Sequence, residues 1–188
     1  MALNVELKRR RFTVEEYVRM IETGILGKYD RAELIQGEVV EKVTIGSRHA
    51  AAVAMLHMMF VTALGHRAQV RSAGLIRLLP DSAPEPDVVL LRWRDDFYRM
   101  AHPAGEDVML AVEVSETSLR YDRTVKLPLY ARAGIREAWI VNLEGGVIEV
   151  YRGPTPTGYT NVGRAERGGH VTPGTFPDVA LSVTEILG

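Results

Sequence analysis

The chain has 188 residues, 46% hydrophobic and 25% charged, which is typical of a globular protein with one domain-sized core. It contains no cysteine, which excludes disulfides, thiolate zinc sites and cysteine nucleophiles and fits a reducing cytoplasm. The net charge of −1 excludes a generally basic nucleic-acid binder, so any phosphate binding must depend on local patches.

The chain opens with a basic arm, a helix and a hairpin. Residues 1–11 end in the run LKRRR and lack the apolar core of a signal peptide. Thr13 and Glu16 have the spacing of a capping box, so we expect a helix from there to about Gly24. The segment RAELIQGEVVEKV predicts a hairpin that turns at Gln36-Gly37.

A long apolar helix follows the hairpin. Ser47 is its expected N-cap, and it should end near Gly65. Because it is apolar nearly all round, we expect it to be largely buried. Its apolar run, Ala50–Gly65, contains His57 and is shorter than the roughly 18 residues of a membrane span, so we predict no membrane segment.

The second half of the chain predicts strands around one more helix. QVRSAGLIRLLP, interrupted at Gly74, PEPDVVLL and VMLAVEVS read as strands, with an irregular connection over residues 92–107. Asp122 is the expected cap of a helix that runs to about Ala133 and is weakened by Pro128. EAWIVN, GVIEVYRG and short C-terminal β segments follow. We therefore expect one α/β domain over residues 12–188, a mixed sheet flanked by helices.

Glu113 stands out because it interrupts an apolar strand. Side chains alternate along a strand, so one face should carry Leu110, Val112 and Val114, and the other Met109, Ala111, Glu113 and Ser115. A carboxylate is rarely buried unless it is paired or binds a metal. The strand face therefore either meets water or holds a partner for this charge.

Asp87 is the first candidate partner. It opens the preceding strand behind Pro86, and successive strands are often neighbours, so the carboxylates of Asp87 and Glu113 should converge. Two close carboxylates repel each other, and a divalent cation removes that conflict. Magnesium prefers such oxygen ligands, with the Val114 carbonyl as a possible third. The alternative is that these are two unrelated strand-end acids, which are common.

Lys126 is the candidate cationic group. On the helix after the Glu113 strand, its ammonium can stabilise charge on a phosphoryl group or orient the attacking water. The alternative is a surface pair with Asp122 one turn away, worth about 0.2–0.5 kcal/mol. The segment is also rich in arginines that either face solvent or contact a phosphate backbone: Arg120, Arg123, Arg132 and Arg136.

The segments AELIQGEVVEK, PEPDVVLL and LAVEVSETSLRYDRTVKLPLYARAGIREAWIVN resemble the Uma2 family of restriction-endonuclease-like proteins, within the PD-(D/E)xK nuclease superfamily. The resemblance implies a restriction-endonuclease-like core. It implies that Asp87 and Glu113 are ligands of Mg²⁺ or Mn²⁺. The superfamily lysine normally lies two residues after the second acid, where this chain has Ser115. In this family the lysine has moved to the next helix, which matches Lys126.

The same resemblance assigns three further positions. Glu33 matches an acidic position that can complete the metal site. Asp122 matches the family's aspartate before the lysine, and His49 matches a histidine at the start of the second helix. A lone histidine there is more often structural. Glu38 and Glu116 are close to the candidate acids in sequence, and we rank both below them.

Three functions remain open from the sequence. The first is a metal-dependent endonuclease that hydrolyses phosphodiester bonds in DNA, with Asp87, Glu113, Lys126 and Glu33 as catalytic residues; from the class we expect the DNA to be double-stranded. Such nucleases often act as homodimers, since a twofold duplex suits a twofold protein. The second is a catalytically inactive nuclease fold that binds nucleic acid. The third is an oligomerising structural domain whose acids are surface groups.

Overall fold

The computed structural model describes residues 9–27, 30–42 and 46–188, so most of the predicted basic arm over residues 1–11 lies outside the described residues. Its helices are α1 (Val14–Glu22), α2 (Ser47–Leu64), α3 (Leu119–Tyr121), α4 (Leu127–Arg132) and α5 (Val183–Leu187). Its strands are β1 (Ala32–Ile35), β2 (Glu38–Glu41), β3 (Gln69–Ser72), β4 (Val88–Leu91), β5 (Val108–Ser115), β6 (Glu137–Asn142), β7 (Val147–Thr155), β8 (Gly158–Glu166), β9 (His170–Val171) and β10 (Leu181–Ser182). A π-helical turn, Asp122–Lys126, joins α3 to α4.

The core is built around a six-stranded sheet in the order β3-β4-β5-β6-β7-β8. β5 and β6 are parallel, and the other neighbouring pairs in this sheet are antiparallel. A parallel pair needs a crossover connection, which the segment from α3 to α4 supplies. One apolar cluster packs α2 and α5 against one face of the sheet, and a second packs α4 against the other. The predicted mixed sheet flanked by helices is confirmed.

The first helix and the hairpin form as their sequences predict. The Thr13 side chain accepts from the Glu16 amide at 3.2 Å, and the Glu16 carboxylate accepts from the Thr13 amide at 3.0 Å. Gly24, just beyond the end of α1, has a φ of +76°. Gln36 and Gly37 connect β1 to β2 with φ values of +50° and +80°, as a tight hairpin turn of this kind requires.

Helix α2 differs from its prediction in two respects. Gly46, not Ser47, is the N-cap. The helix buries one face only, through Ala52, Leu56, Phe60 and Leu64, while Met58 is 56% and Val61 47% exposed. By length and composition alone, Ser47–Arg67 could span a membrane. Its buried face, however, packs into the protein core.

Strand β5 follows the predicted alternation except at one end. Leu110 lies in the α2-side cluster and Ala111 in the α4-side cluster. Met109 packs on the α2 side as well, so its assignment to the Glu113 face was wrong. The cause is a register shift: Leu90 pairs with Leu110, but Leu91 pairs with Val108. A bulge of this kind leaves one residue unpaired and breaks the alternation.

The crossover helix begins earlier than predicted. Its N-cap is Ser118, so Asp122 lies inside the helical segment and does not cap it. Pro128 has no N–H, and a proline within a helix leaves an upstream carbonyl without a partner. The segment accommodates it with the π-helical turn directly before α4, in which the Leu127 amide donates to the Asp122 carbonyl. The expected weakening at Pro128 is thus a local change of helix type.

Two β regions differ in length from their predictions. β3 ends at Ser72, before Gly74, whose φ is +115°. The expected short C-terminal β segments include β8, a nine-residue strand that pairs with β7 at the edge of the main sheet. The two-residue connection Pro156-Thr157, which we did not predict as a hairpin turn, brings these strands together.

Candidate active site

Asp87 lies directly before β4, beside the end of β5. Its Oδ2 accepts a hydrogen bond from the Val114 amide at 2.8 Å and is 3.1 Å from Nε2 of His49 on α2. Burial opposes ionisation, but the contacts with His49 and the Val114 amide outweigh it and lower the pKa of Asp87. Asp87 is therefore held as a carboxylate next to the residue that follows Glu113.

Glu113 is buried, with only 2% of its surface exposed. The Tyr130 hydroxyl donates to its Oε1, and the Lys126 ammonium donates to its Oε2 at 3.1 Å. Burial raises the pKa of Glu113 to about 8, against the opposing effect of Lys126. The strand face that carries Glu113 is therefore not open to water: both oxygens of its carboxyl group have partners, Tyr130 and Lys126.

Lys126 is the buried cation at the centre of the site. Its Nζ lies 3.1 Å from Oε2 of Glu113 and 3.0 Å from Oε1 of Glu33. Burial alone would lower the pKa of Lys126, but Glu113 and Glu33 raise it above its usual value, so the side chain remains an ammonium. A surface pair with Asp122 is therefore not its main interaction.

Glu33 enters the site from β1. The same oxygen that contacts Lys126 accepts from the Glu85 amide at 3.0 Å and lies 3.5 Å from Nζ of Lys42. Lys42 also lies 3.3 Å from Oε2 of Glu85. The hairpin is thus tied both to the crossover helix and to the segment before β4. The sequence did not indicate Lys42 or Glu85 as part of this network.

Asp122 has a defined structural setting. Its Oδ2 accepts from the Ser115 hydroxyl at 2.7 Å and from the Ser118 hydroxyl at 2.6 Å. Burial raises the pKa of Asp122. Ser115, which stands where the superfamily lysine is expected, therefore connects the end of β5 to the helix that carries Lys126.

These groups surround one cavity of about 510 Å³. Its walls include all four predicted catalytic residues, Glu33, Asp87, Glu113 and Lys126. Its other lining residues include His49, Lys42, Glu116, Tyr121 and Asp122. The structure thus brings the predicted residues together, which disagrees with the alternative that Asp87 and Glu113 are two unrelated strand-end acids.

A family model described as "Putative restriction endonuclease", Uma2, matches residues 14–184. The chain belongs to the Uma2 family. The match includes every residue that we predicted to be catalytic. Membership in a family so described supports a nuclease function for the chain, and it confirms the resemblance read from its motifs.

Among solved structures, the chain is similar to a putative nuclease belonging to DUF820 from Anabaena variabilis ATCC 29413. The two share 13% sequence identity and superpose with a TM-score of 0.72 over 94% of this chain and 97% of that chain. At this identity the likeness shows the fold, which is the predicted nuclease-like one. No curated protein matches the chain.

The other predicted positions of this Uma2 member divide into two groups. Glu116 lines the cavity, 3.7 Å from Arg48, whereas Glu38, on β2, pairs with Arg11. Arg123 is bound to the buried carboxylate of Glu149, so it is not available as a free phosphate contact. The other arginines of this segment, Arg120, Arg132 and Arg136, are exposed.

Sequence reasoning missed two tyrosines of the site. Tyr130 follows Lys126 by four residues, and side chains at this spacing share a helix face, so its contact with Glu113 could have been predicted. Tyr121 precedes Asp122, and its hydroxyl is buried in the cavity wall without a hydrogen-bond partner among the described residues. Burial raises the pKa of Tyr121 to about 12, so its oxygen keeps its proton.

The oxygen ligands of the site fit a hard divalent cation. Six acidic residues line the cavity: Glu33, Glu41, Asp87, Glu113, Glu116 and Asp122. Within residues 9–27, 30–42 and 46–188, no three acidic or histidine side chains form a ready-made metal cage. Asp87 uses only Oδ2 in its hydrogen bonds with the described residues, which leaves Oδ1 available to a cation. Mg²⁺ is commonly held by one or two carboxylates plus water and substrate phosphates, which this set allows.

Proposed function

We propose that the chain is a metal-dependent endonuclease that hydrolyses phosphodiester bonds in double-stranded DNA. The observation that carries this proposal is the meeting of Asp87, Glu113, Lys126 and Glu33 around one cavity in a member of the Uma2 family. Carboxylates next to a fixed ammonium are the groups that phosphoryl transfer requires, because its main demand is positioning and stabilising negative charge.

In this proposal Asp87 and Glu113 hold Mg²⁺ or Mn²⁺. When bound, the ion supplies Lewis-acid chemistry, polarising a phosphate and lowering the pKa of water. His49 and the Val114 amide fix the orientation of Asp87, and Tyr130 fixes that of Glu113. Outer contacts of this kind set the orientation of metal ligands.

Lys126 supplies the positive charge of the chain itself. Its contacts with Glu33 and Glu113 fix the ammonium at the cavity wall. We assign it the stabilisation of charge on the phosphate and the orientation of the attacking water. Glu33 holds Lys126 in place, and it is held in turn by the Glu85 amide.

Incubation of the protein with plasmid DNA and Mg²⁺ or Mn²⁺ tests this function. Wild type should nick or cut the plasmid, and Asp87→Ala and Lys126→Ala should each lose activity on the order of 100-fold or more. Asp178→Ala, which removes a carboxylate that is 62% exposed and paired with Arg67, is the matched control and should cut normally. Cleavage by Asp87→Ala at the wild-type rate would overturn the proposal.

The second candidate is a nuclease fold that binds DNA without cutting it. It is favoured by the full engagement of Lys126 with two carboxylates and by Ser115 in the expected lysine position. It predicts salt-sensitive DNA binding that persists in EDTA and no cleavage with either metal. Micromolar Mn²⁺ binding that is lost in Glu113→Ala, measured by calorimetry, would argue against this candidate.

We also propose that the chain acts as a homodimer. Cutting both strands of a twofold duplex favours two active sites related by a twofold axis. The exposed side of α2, which carries Met58 and Val61, is an apolar surface on which the contact can be tested.

A further inference from the structure

Tyr121 differs from the other tyrosines in the described part of the chain. Five of them donate their hydroxyl to a protein oxygen. The acceptors are a backbone carbonyl for Tyr17, Tyr98 and Tyr159, and a carboxylate for Tyr130 and Tyr151. The Tyr121 hydroxyl is buried and has no such partner within that part. A buried hydroxyl without a partner destabilises a folded protein, so this exception needs a reason.

The position of Tyr121 provides one. It forms part of the wall of the 510 Å³ cavity, together with Glu33, Asp87 and Lys126. It ends α3, directly before Asp122, whose carboxylate is held by the hydroxyls of Ser115 and Ser118. These contacts fix the backbone on which Tyr121 stands, in the same cavity wall as the proposed catalytic groups.

We propose that Tyr121 is a substrate-contacting residue whose hydroxyl donates a hydrogen bond to a phosphate oxygen of nucleic acid bound in this cavity. This inference rests on the proposed function, because it takes the cavity to be the place where a phosphodiester binds. A tyrosine hydroxyl is a donor at neutral pH, and phosphate oxygens are strong acceptors. Lys126 and Lys42, on the same cavity wall, are already paired with carboxylates, whereas the Tyr121 hydroxyl has no partner within the described residues.

Tyr121→Phe tests the inference because it removes only the hydroxyl. Without substrate, the variant should be at least as stable as wild type in urea unfolding, since it loses a polar group that has no protein partner. With a fluorescein-labelled DNA duplex carrying phosphorothioate linkages, its Kd should rise roughly 10- to 100-fold, the loss expected for a hydrogen bond to a charged acceptor.

Tyr159→Phe is the matched control. Its hydroxyl donates to the Ile135 carbonyl at 2.9 Å and lies outside the cavity lining. This variant should lose stability and keep the wild-type Kd for DNA. Tyr159→Phe should therefore lose stability but not affinity for DNA, and Tyr121→Phe should lose affinity for DNA but not stability.

Three other results would overturn the inference, and they are distinguishable. If Tyr121→Phe binds DNA with the affinity of wild type, the proposed contact does not exist, and the proposed nuclease function is unaffected. A loss of stability like that of Tyr159→Phe, with DNA binding unchanged per folded molecule, assigns the hydroxyl a structural role. If wild type itself neither binds nor cuts DNA, the proposed function fails, and the inference fails with it.

Discussion

Two sets of buried carboxylates in this protein show how a structural ion pair differs from a candidate active site. Glu137 accepts from Arg152 at 2.8 Å, from the Trp139 indole at 2.6 Å and from the Gly174 amide at 2.7 Å. Glu149 accepts two hydrogen bonds from Arg123 and one from the Tyr151 hydroxyl. Each carboxylate oxygen of both residues has a partner, and neither residue lines the cavity.

The candidate site is built from the same side-chain types but is incomplete. Asp87 uses one carboxylate oxygen, Asp122 accepts two hydroxyl groups on one oxygen, and the Tyr121 hydroxyl has no partner within the described residues. These atoms meet at a cavity. Complete pairing stabilises the fold, whereas polar atoms without partners around a cavity are available to a bound ligand.

The largest effect should follow from removing the central cation. Lys126→Met leaves Glu33 and Glu113 buried with no ammonium between them, and breaking a buried ion pair costs about 3–5 kcal/mol of folding free energy. Urea unfolding measures this loss, with Lys126→Arg, which keeps the charge, as the control. If Lys126→Met were as stable as wild type, the three charges would not be coupled. The contrast between the candidate site and the closed ion pairs would then be wrong.

The sequence identified the residues of the candidate site, but it did not show which buried glutamates have complete sets of partners. Glu113 and Glu149 both interrupt apolar strands, and nothing in their local patterns separates a site residue from a closed pair. Motif resemblance selected Glu113, Asp87 and Lys126 together. The partner Arg123 was assigned to solvent or to DNA, because its contact with Glu149 joins residues 26 positions apart, which no local pattern shows.

The fold followed the sequence wherever local chemistry determines it, as in the capping box of Thr13 and the turn at Gln36-Gly37. It departed where tertiary packing decides. The composition of α2 predicted burial all round, but the protein has only one sheet face to offer this helix. The bulge at Met109 is likewise a property of two paired strands, so the sequence of one strand does not show it.

Metal binding should stabilise the site and leave the closed pairs unaffected. Free Mn²⁺ at about 100 times its Kd should raise the free energy of unfolding by about 2.7 kcal/mol. Asp87→Asn should abolish this gain, because it removes the charge of a proposed ligand while conserving its size. Glu149→Gln, at a carboxylate with no free oxygen, should show the full gain in thermal unfolding. Equal gains in both variants would place the ion elsewhere.

The two glutamates should depend on pH in opposite directions. Burial opposes ionisation of Glu149, but Arg123 and Tyr151 lower its pKa, so its contribution is present above the ordinary value of 4.5 and is lost as pH falls. Glu149→Gln should therefore cost about 1–3 kcal/mol at neutral pH, and less in acid. Burial raises the pKa of Glu113 to about 8, so its ionisation opposes folding increasingly from pH 4.5 to about 8.

Glu113→Gln should accordingly gain stability relative to wild type as pH rises through that window. Unfolding curves in EDTA from pH 4 to pH 9 measure both variants under the same conditions. EDTA ensures that no bound metal changes the contribution of Glu113 to the free energy of unfolding. Parallel pH profiles for the two variants would mean that Glu113 is a closed structural pair like Glu149.

The smallest effect on folding concerns the exposed side of α2. Met58→Glu places a charge on a side chain that is 56% exposed, so the free energy of unfolding should change by less than about 0.5 kcal/mol. If two copies pair through this surface, the charge should shift the protein from dimer to monomer in sedimentation velocity. Val162→Glu, at a position on β8 that is 59% exposed, is the control and should leave the dimer intact. A dimer that tolerates Met58→Glu but not Val162→Glu would move the contact to the open edge of the sheet, where β8 can pair with another strand.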